Sequence, residues 1–207
     1  MLRRRRHPQA ETAGETEGRQ EADEAGGQRG DSPGGVHGRP GHQEEIAVPG
    51  IYLHVPFCRS KCRYCGFVSF PYREKAAAAY REAVEREMAT AAAGCRRDSF
   101  ASVYVGGGTP TCLPREDLVH LLDRVDRLFA VETGAEVTVE ANPDTVDVRY
   151  LAALRASGVN RLSLGAQTFD EGSLRLLGRP GGPGAVREAV RSARSAGFTN
   201  LNLDLIF

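Results

Sequence analysis

Short strand-like segments alternate with helical patterns from residue 51 onward, and this alternation constrains the fold more than any other feature. The segments are rich in Val, Ile and Leu, whereas the stretches between them repeat apolar residues every three or four positions. The predicted strands are 51–55, 102–105, 136–141, 161–165 and 201–206. Strands that alternate with helices build parallel sheets from βαβ units, so the predicted fold class is α/β.

Helix signals stand in the gaps between the predicted strands. An Ala-rich helix is predicted over 74–93, and three more begin near Pro114, Asp147 and Pro183. The last of them ends before Gly197. Pro near a helix start and Gly just past its end are the expected positions of these residues. The sequence therefore predicts five strands and four intervening helices.

Each predicted strand has one apolar and one polar side. In the first strand Leu53 and Val55 alternate with Tyr52 and His54, and the other four strands alternate in the same way. A parallel strand covered on both faces is usually apolar throughout. A face open to water would give this pattern, and so would a sheet that carries its helices on one side and closes towards a barrel. We predict the barrel, with polar side chains lining a lumen that holds a polar ligand.

Residues 1–49 differ from the rest of the chain. They contain no aromatic residue and few apolar residues besides isolated Ala. Ordering such a segment would bury too little apolar surface to offset backbone entropy of about 1–2 kcal/mol per residue. We therefore predict a disordered, low-complexity tail over 1–49 and a core domain over 50–207.

Charge and hydropathy exclude several classes of protein. The 27 basic side chains equal the 27 acidic ones, so there is no basic excess of the kind that nucleic-acid binding requires. No apolar run approaches the roughly 18 residues of a membrane span, and residues 1–40 contain no apolar core of a signal peptide. We predict a cytoplasmic protein without a nucleic-acid partner or a membrane span.

Three of the five cysteines follow the first predicted strand directly. Cys58, Cys62 and Cys65 have the spacing C-x₃-C-x₂-C. Thiolates ligate iron–sulfur clusters, usually in sets of four. With three ligands, one iron stays open for substrate, as in catalytic metal sites. The alternative is structural zinc, which prefers four closed ligands and would need His54 as the fourth.

Several sequence blocks carry a specific resemblance. The cysteine motif, with Tyr64 before its third Cys, resembles that of the radical S-adenosylmethionine (radical SAM) superfamily. The flanking blocks resemble the oxygen-independent coproporphyrinogen III oxidase family within it. These blocks are 52–58, 104–111, 139–144, 158–167, 177–179 and 202–206. The resemblance implies a partial (β/α)₆ barrel related to the TIM barrel, with five strands present and the domain incomplete at its carboxyl end.

The resembled family has two branches that differ just after the cysteine motif. The oxidase branch (HemN) carries a further Cys two positions after the third ligand, where this chain has Phe67. Phe at this position resembles the heme-chaperone branch (HemW). The resemblance therefore implies heme handling in porphyrin metabolism, with coproporphyrinogen III oxidation as one alternative. A non-catalytic zinc- or heme-binding module is another.

The resemblance also implies cofactors, partners and site residues. Cys58, Cys62 and Cys65 would hold a 4Fe-4S cluster whose open iron chelates S-adenosylmethionine. The residues implied to contact that cofactor are Tyr52, Tyr64, Gly107, Gly108, Thr109, Glu140, Gln167, Arg179 and Asp204. The implied partners are heme or a porphyrin, an electron donor and a heme-accepting protein.

Positions in the predicted strands agree with part of this set. Glu140, Gln167 and Asp204 stand at or just past strand ends, where βα folds place ligand-binding groups. Carboxylates suit ribose hydroxyls and an ammonium, and Arg179 suits a carboxylate. The alternative for Arg179 is a structural ion pair with Glu140 or Asp204. Cys95 and Cys112, the remaining cysteines, match no cluster position.

Overall fold

The computed structural model describes residues 49–96 and 99–207, which form an α/β fold around a five-stranded parallel sheet. The predicted tail over 1–49 lies outside the described residues except for Pro49. Numbered along the chain, the strands of this sheet are β1 (Gly50–Val55), β4 (Phe100–Gly107), β5 (Val131–Ala141), β6 (Arg161–Gln167) and β7 (Asn200–Leu205). A two-stranded sheet pairs β2 (Phe57–Cys58) with β3 (Phe70–Pro71). The predicted class and the five parallel strands are confirmed.

Helices connect the strands of the main sheet. They are α1 (Glu74–Gly94), α2 (Arg115–Leu128), α3 (Val148–Ala156), α4 (Glu171–Leu177) and α5 (Gly182–Ser195). The sequence predicts all of them except α4, whose seven residues are too few for a clear apolar period. Asp170 caps this short helix by accepting a hydrogen bond from the amide of Ser173. In the described part of the chain, no helix combines the length and apolarity needed to cross a membrane.

The order of the main sheet follows the order of the chain, β1-β4-β5-β6-β7. Tyr52 pairs with Tyr104, and Tyr104 pairs with Thr138, so the polar positions of neighbouring strands are in register. A doubly wound sheet reverses its direction at a switch point. Steady progression in one direction is the order of a β/α barrel. Because all the strands are parallel, their carboxyl ends lie at one edge of the sheet.

The hydrophobic core lies between the apolar face of the sheet and the helices. Fully buried core residues from both layers are Val55, Val105, Leu118, Leu121, Val139, Leu151, Leu154, Leu162 and Leu164. Full burial of one such side chain contributes roughly 1.5–3 kcal/mol. This packing fixes the apolar side of every central strand against helices, so the polar side faces away from the core.

Candidate functional site

A cavity of about 580 Å³ lies on the polar face of the sheet. Its lining includes the three motif cysteines and eight of the nine residues predicted to contact S-adenosylmethionine. These predicted residues are Cys58, Cys62, Tyr64, Cys65, Gly107, Gly108, Thr109, Glu140, Gln167, Arg179 and Asp204. Small-molecule sites commonly have volumes of roughly 300–1,000 Å³. The predicted polar lumen is thus present as a cavity of the size that a cofactor needs.

The cysteine loop, residues 58–65, is fixed by its backbone. The amide of Tyr72 donates to the carbonyl of Cys58 at 2.8 Å, and the amide of Arg63 donates to the carbonyl of Leu177 at 3.1 Å. All three thiols are free and partly exposed. The loop therefore has a defined path that does not depend on bonds between its sulfur atoms.

The donor set of this loop fits an iron–sulfur cluster. Thiolates are the ligands that such clusters use, and all three thiols line one cavity. Thr109 Oγ1 and Arg179 Nη1 each lie 3.6 Å from a cysteine sulfur, of Cys58 and Cys62 respectively. Among the described residues, no three His, Cys, Asp or Glu side chains gather around one point as ligands of a single metal ion would.

His54, the residue considered as a fourth zinc ligand, uses both ring nitrogens in hydrogen bonds. Nδ1 is 2.9 Å from the hydroxyl of Tyr52, and Nε2 is 3.1 Å from the carbonyl of Val68. Because a carbonyl only accepts, the neutral ring carries its proton on Nε2 and accepts from Tyr52 through Nδ1. His54 therefore orients the segment that follows the cysteine loop, and metal ligation would require it to lose one of these bonds.

The Gly-rich turn at the end of β4 packs against the start of the cysteine loop. The amide of Thr109 donates to the carbonyl of Phe57 at 2.6 Å, and a Cβ on Gly108 would lie 2.5 Å from that oxygen. Gly107 has φ of +110°, and a Cβ there would collide with the ring of His54. Glycine is therefore needed at both positions for packing alone, and the same lack of side chains opens the backbone to the cavity.

Arg179 connects the loop before α5 to the strand ends. Its guanidinium donates to Asn142 Oδ1 at 2.8 Å and to the carbonyl of Gly165. The alternative ion pair with Glu140 or Asp204 is not among the ion pairs of the described residues. Arg179 therefore pairs with neither carboxylate, and both line the cavity where an occupant can contact them.

Neighbouring side chains hold the two carboxylates in place. Glu140 accepts from the hydroxyl of Tyr104 at 2.6 Å and from the amide at the end of β4 at 3.1 Å. Asp204 accepts from Asn202 Nδ2 at 2.6 Å and from the hydroxyl of Ser163 at 3.2 Å. Burial, together with the bond to Glu140, raises the pKa of Tyr104, so this hydroxyl stays protonated and donating. Each carboxylate is thus oriented before any ligand is present.

Two further predicted residues, Gln167 and Tyr64, also line the cavity. Gln167 has φ of 65°, the left-handed region that non-glycine residues seldom adopt, at an irregularity in the β6–β7 pairing. Such strain concentrates at functional sites. Tyr64 lies within the cysteine loop, and its partial burial, partly offset by Arg179, raises its pKa to about 12.

Tyr52 is the one predicted contact residue that does not line the cavity. It is 59% exposed, and its ring stacks on that of Tyr104 with a centroid distance of 6.2 Å. Its hydroxyl is bonded to His54 and its ring packs on Tyr104, so both parts of the side chain are engaged outside the cavity lining. Tyr52 therefore reaches the site only through His54 and Tyr104.

The predicted set omits several cavity-lining residues, and four of them make polar contacts within the site, namely Tyr104, Asn142, Ser163 and Asn202. Asn142 also donates to Thr109 Oγ1 at 3.1 Å, which links the wall to the Gly-rich turn. Asn142 belongs to the block 139–144, and the other three follow the alternation of their strands. Those signals were sufficient to find all four.

Known proteins resemble this chain over the same region. The model of the Radical SAM superfamily matches residues 52–207. The heme chaperone HemW of Bacillus subtilis is 38% identical over 157 residues, which cover 75% of this chain and 41% of that protein. The oxygen-independent coproporphyrinogen III oxidase of Bradyrhizobium diazoefficiens is 37% identical, with 78% and 36% covered. The structure of HemN from Escherichia coli matches with a TM-score of 0.72 at 33% identity, over 77% of this chain and 37% of that one.

The chain belongs to the radical SAM superfamily, and the predicted resemblance is confirmed. Membership implies a 4Fe-4S cluster and S-adenosylmethionine. The HemN match agrees with the predicted partial barrel. Relatives named as heme chaperones and relatives named as oxidases match at similar identity, and the chain spans about two fifths of the length of these curated relatives.

Proposed function

We propose that this protein binds a 4Fe-4S cluster and S-adenosylmethionine in the cavity and acts in heme handling, as a heme chaperone. The observation that carries the proposal is the convergence of the cysteine loop and eight predicted contact residues on one cavity. The relative named heme chaperone HemW supports the second part. An electron donor and a heme-accepting protein would be its partners.

Cys58, Cys62 and Cys65 would hold the cluster. When bound, the reduced cluster and S-adenosylmethionine supply radical chemistry, and the protein supplies placement. The guanidinium of Arg179 and the hydroxyl of Thr109 would stay close to the ligand sulfurs, stabilising their negative charge. These two groups are fixed in turn by Asn142, which bonds to both.

The strand-end carboxylates would bind the polar groups of S-adenosylmethionine. A carboxylate has about four lone-pair positions, and the described neighbours of Glu140 and Asp204 leave some of them open. Ribose hydroxyls and an ammonium are suitable donors. Gly107 and Gly108 would let the ligand approach the backbone closely, and Tyr64 and Gln167 would border it.

Phe67 favours the chaperone branch over the oxidase branch. It lines the cavity and is 69% exposed, at the position where the oxidase branch carries its additional Cys. A phenyl ring cannot ligate iron or transfer a proton, so it cannot replace a thiol. The oxidase remains the second candidate because oxidase relatives and the HemN structure match this chain.

Anaerobic reconstitution of the 207-residue protein with iron and sulfide tests the first part. We expect about four irons per chain, an EPR signal on reduction, and binding of S-adenosylmethionine. Protein that takes up only zinc and never cleaves S-adenosylmethionine would instead be a metal-binding module.

Heme titration tests the second part. We expect the reconstituted protein to bind heme stoichiometrically, and we expect the affinity to change when the cluster is removed. Growth of a strain that lacks the oxygen-independent oxidase, restored by this protein, would assign the oxidase activity and contradict the chaperone proposal.

A further inference from the structure

Ser69 is a residue of the cavity wall to which neither the motif nor the resemblance assigns a role. It follows the third motif cysteine by four positions, is 7% exposed and lines the cavity. Its hydroxyl has no hydrogen-bond partner among the described residues. Nearly all buried polar side chains in proteins have a partner, and an unpaired one is unfavourable, so this hydroxyl requires an explanation.

The backbone on both sides of Ser69 is fixed. The carbonyl of Val68 accepts from His54 Nε2 at 3.1 Å, and the amide of Phe70 donates to the carbonyl of Pro56 at 2.8 Å. Phe70 also pairs with the strand that leads into the cysteine loop. Ser69 is thus held in the wall by its neighbours, and its hydroxyl is kept where the described chain offers it no partner.

Polar groups that line the same cavity are bonded to other residues. The sulfur atoms of Cys58 and Cys62 have contacts with Thr109 and Arg179, and neither has one with Ser69. A hydroxyl in a cavity wall that has no protein partner can bond to what fills the cavity, either water or a ligand. We propose that Ser69 Oγ forms a hydrogen bond to the occupant of the cavity, which is S-adenosylmethionine under the proposed function on which this inference rests.

Ser69→Ala should weaken the binding of S-adenosylmethionine without lowering the thermal stability of the unliganded protein. In reconstituted protein, S-adenosylmethionine should bind about 5-fold more weakly, which corresponds to about 1 kcal/mol. In the unliganded protein the thermal midpoint should be unchanged or higher, because the substitution removes a hydroxyl that has no partner to lose. Equilibrium dialysis with labelled S-adenosylmethionine and thermal unfolding without it give the two values, at matched iron content.

Ser157→Ala is the reciprocal control. The hydroxyl of Ser157 donates to the carbonyls of Ala153 and Leu154 at 3.2 and 3.1 Å, at the end of α3 and outside the cavity lining. This variant should have a lower thermal midpoint and unchanged affinity for S-adenosylmethionine.

Three results would overturn the inference. Equal affinity of Ser69→Ala and wild type would mean that water satisfies the hydroxyl, and the proposed function would stand. A lower thermal midpoint of unliganded Ser69→Ala would give the hydroxyl a role in folding instead. Wild-type protein that binds a cluster but no S-adenosylmethionine would overturn the proposed function and this inference together.

Discussion

The cysteine loop and the strand-end wall border the same cavity but are organised differently. The name strand-end wall is given to four residues that lie at the strand ends or bond to them, namely Glu140, Asn142, Arg179 and Asp204. Their polar groups are hydrogen-bonded to neighbouring residues of the chain. In the loop, residues 58–65, the backbone is fixed whereas the thiols are free and partly exposed. The wall is thus preorganised by the fold, whereas under the proposed function the thiols of the loop would be ordered by the cluster.

The largest effect should follow from removing a thiol of the loop. Cys62→Ser should reduce bound iron from about four per chain to nearly none, and S-adenosylmethionine binding should be lost with it. Since this side chain is partly exposed and outside the core, the stability of cluster-free protein should change by only about 0.5 kcal/mol. Iron and sulfide analysis, EPR and thermal unfolding measure these quantities.

Cys95→Ser is the matched control for this variant, because Cys95 does not line the cavity. It should retain the full iron content and the EPR signal. A Cys62→Ser protein that still binds four irons would show that the loop does not hold the cluster as proposed.

Arg179→Lys should affect the wall more than the loop. The lysine ammonium cannot reproduce the forked contacts with Asn142 and Gly165. Hydrogen bonds to charged groups contribute about 1.5–3 kcal/mol, so cluster-free protein should lose about 2 kcal/mol of unfolding free energy in urea. Arg175→Lys, an exposed residue paired with Glu171 at 3.8 Å, should cost less than about 0.5 kcal/mol. Equal losses in the two variants would mean that the wall does not depend on Arg179.

Glu140→Gln tests the contribution of one carboxylate charge in the wall at nearly constant side-chain volume. The amide keeps the volume but loses the negative charge and one acceptor, so S-adenosylmethionine affinity should fall about tenfold, or about 1.4 kcal/mol. Glu136→Gln, on the same strand and paired with Arg161 at 3.5 Å, serves as the control and should change affinity less than twofold. If both variants bind equally well, the carboxylate of Glu140 does not contact the cofactor.

The loop and the wall also differ in how well the sequence predicts them. Cysteine spacing and strand alternation are local signals, so they identify the three thiols and the polar positions of Glu140 and Asp204 directly. The link that Asn142 makes between Thr109 and Arg179 joins three separate segments, and its geometry depends on how the side chains pack. No spacing rule encodes such a contact.

Short elements and side-chain contacts account for the other differences between the predicted and the observed structure. Helix α4 and the β2–β3 pair have only seven residues and two residues per strand, so neither gives a period that can be read. The alternation of β1 places Tyr52 on the polar face correctly. It does not reveal that Tyr52 bonds to His54 and stacks on Tyr104, outside the cavity lining.

The smallest effect should come from Tyr52→Phe, which separates a supporting residue from a contact residue. The variant loses the hydrogen bond to His54 and keeps the ring that stacks on Tyr104. A neutral hydrogen bond contributes about 0.5–1.5 kcal/mol, and this exposed one lies at the low end, so the thermal midpoint should fall slightly. S-adenosylmethionine affinity should change less than twofold, because the hydroxyl acts only through His54. A loss of more than fivefold in equilibrium dialysis would place Tyr52 in direct contact with the cofactor, as the family resemblance implies, and would move the boundary of the site outward to β1.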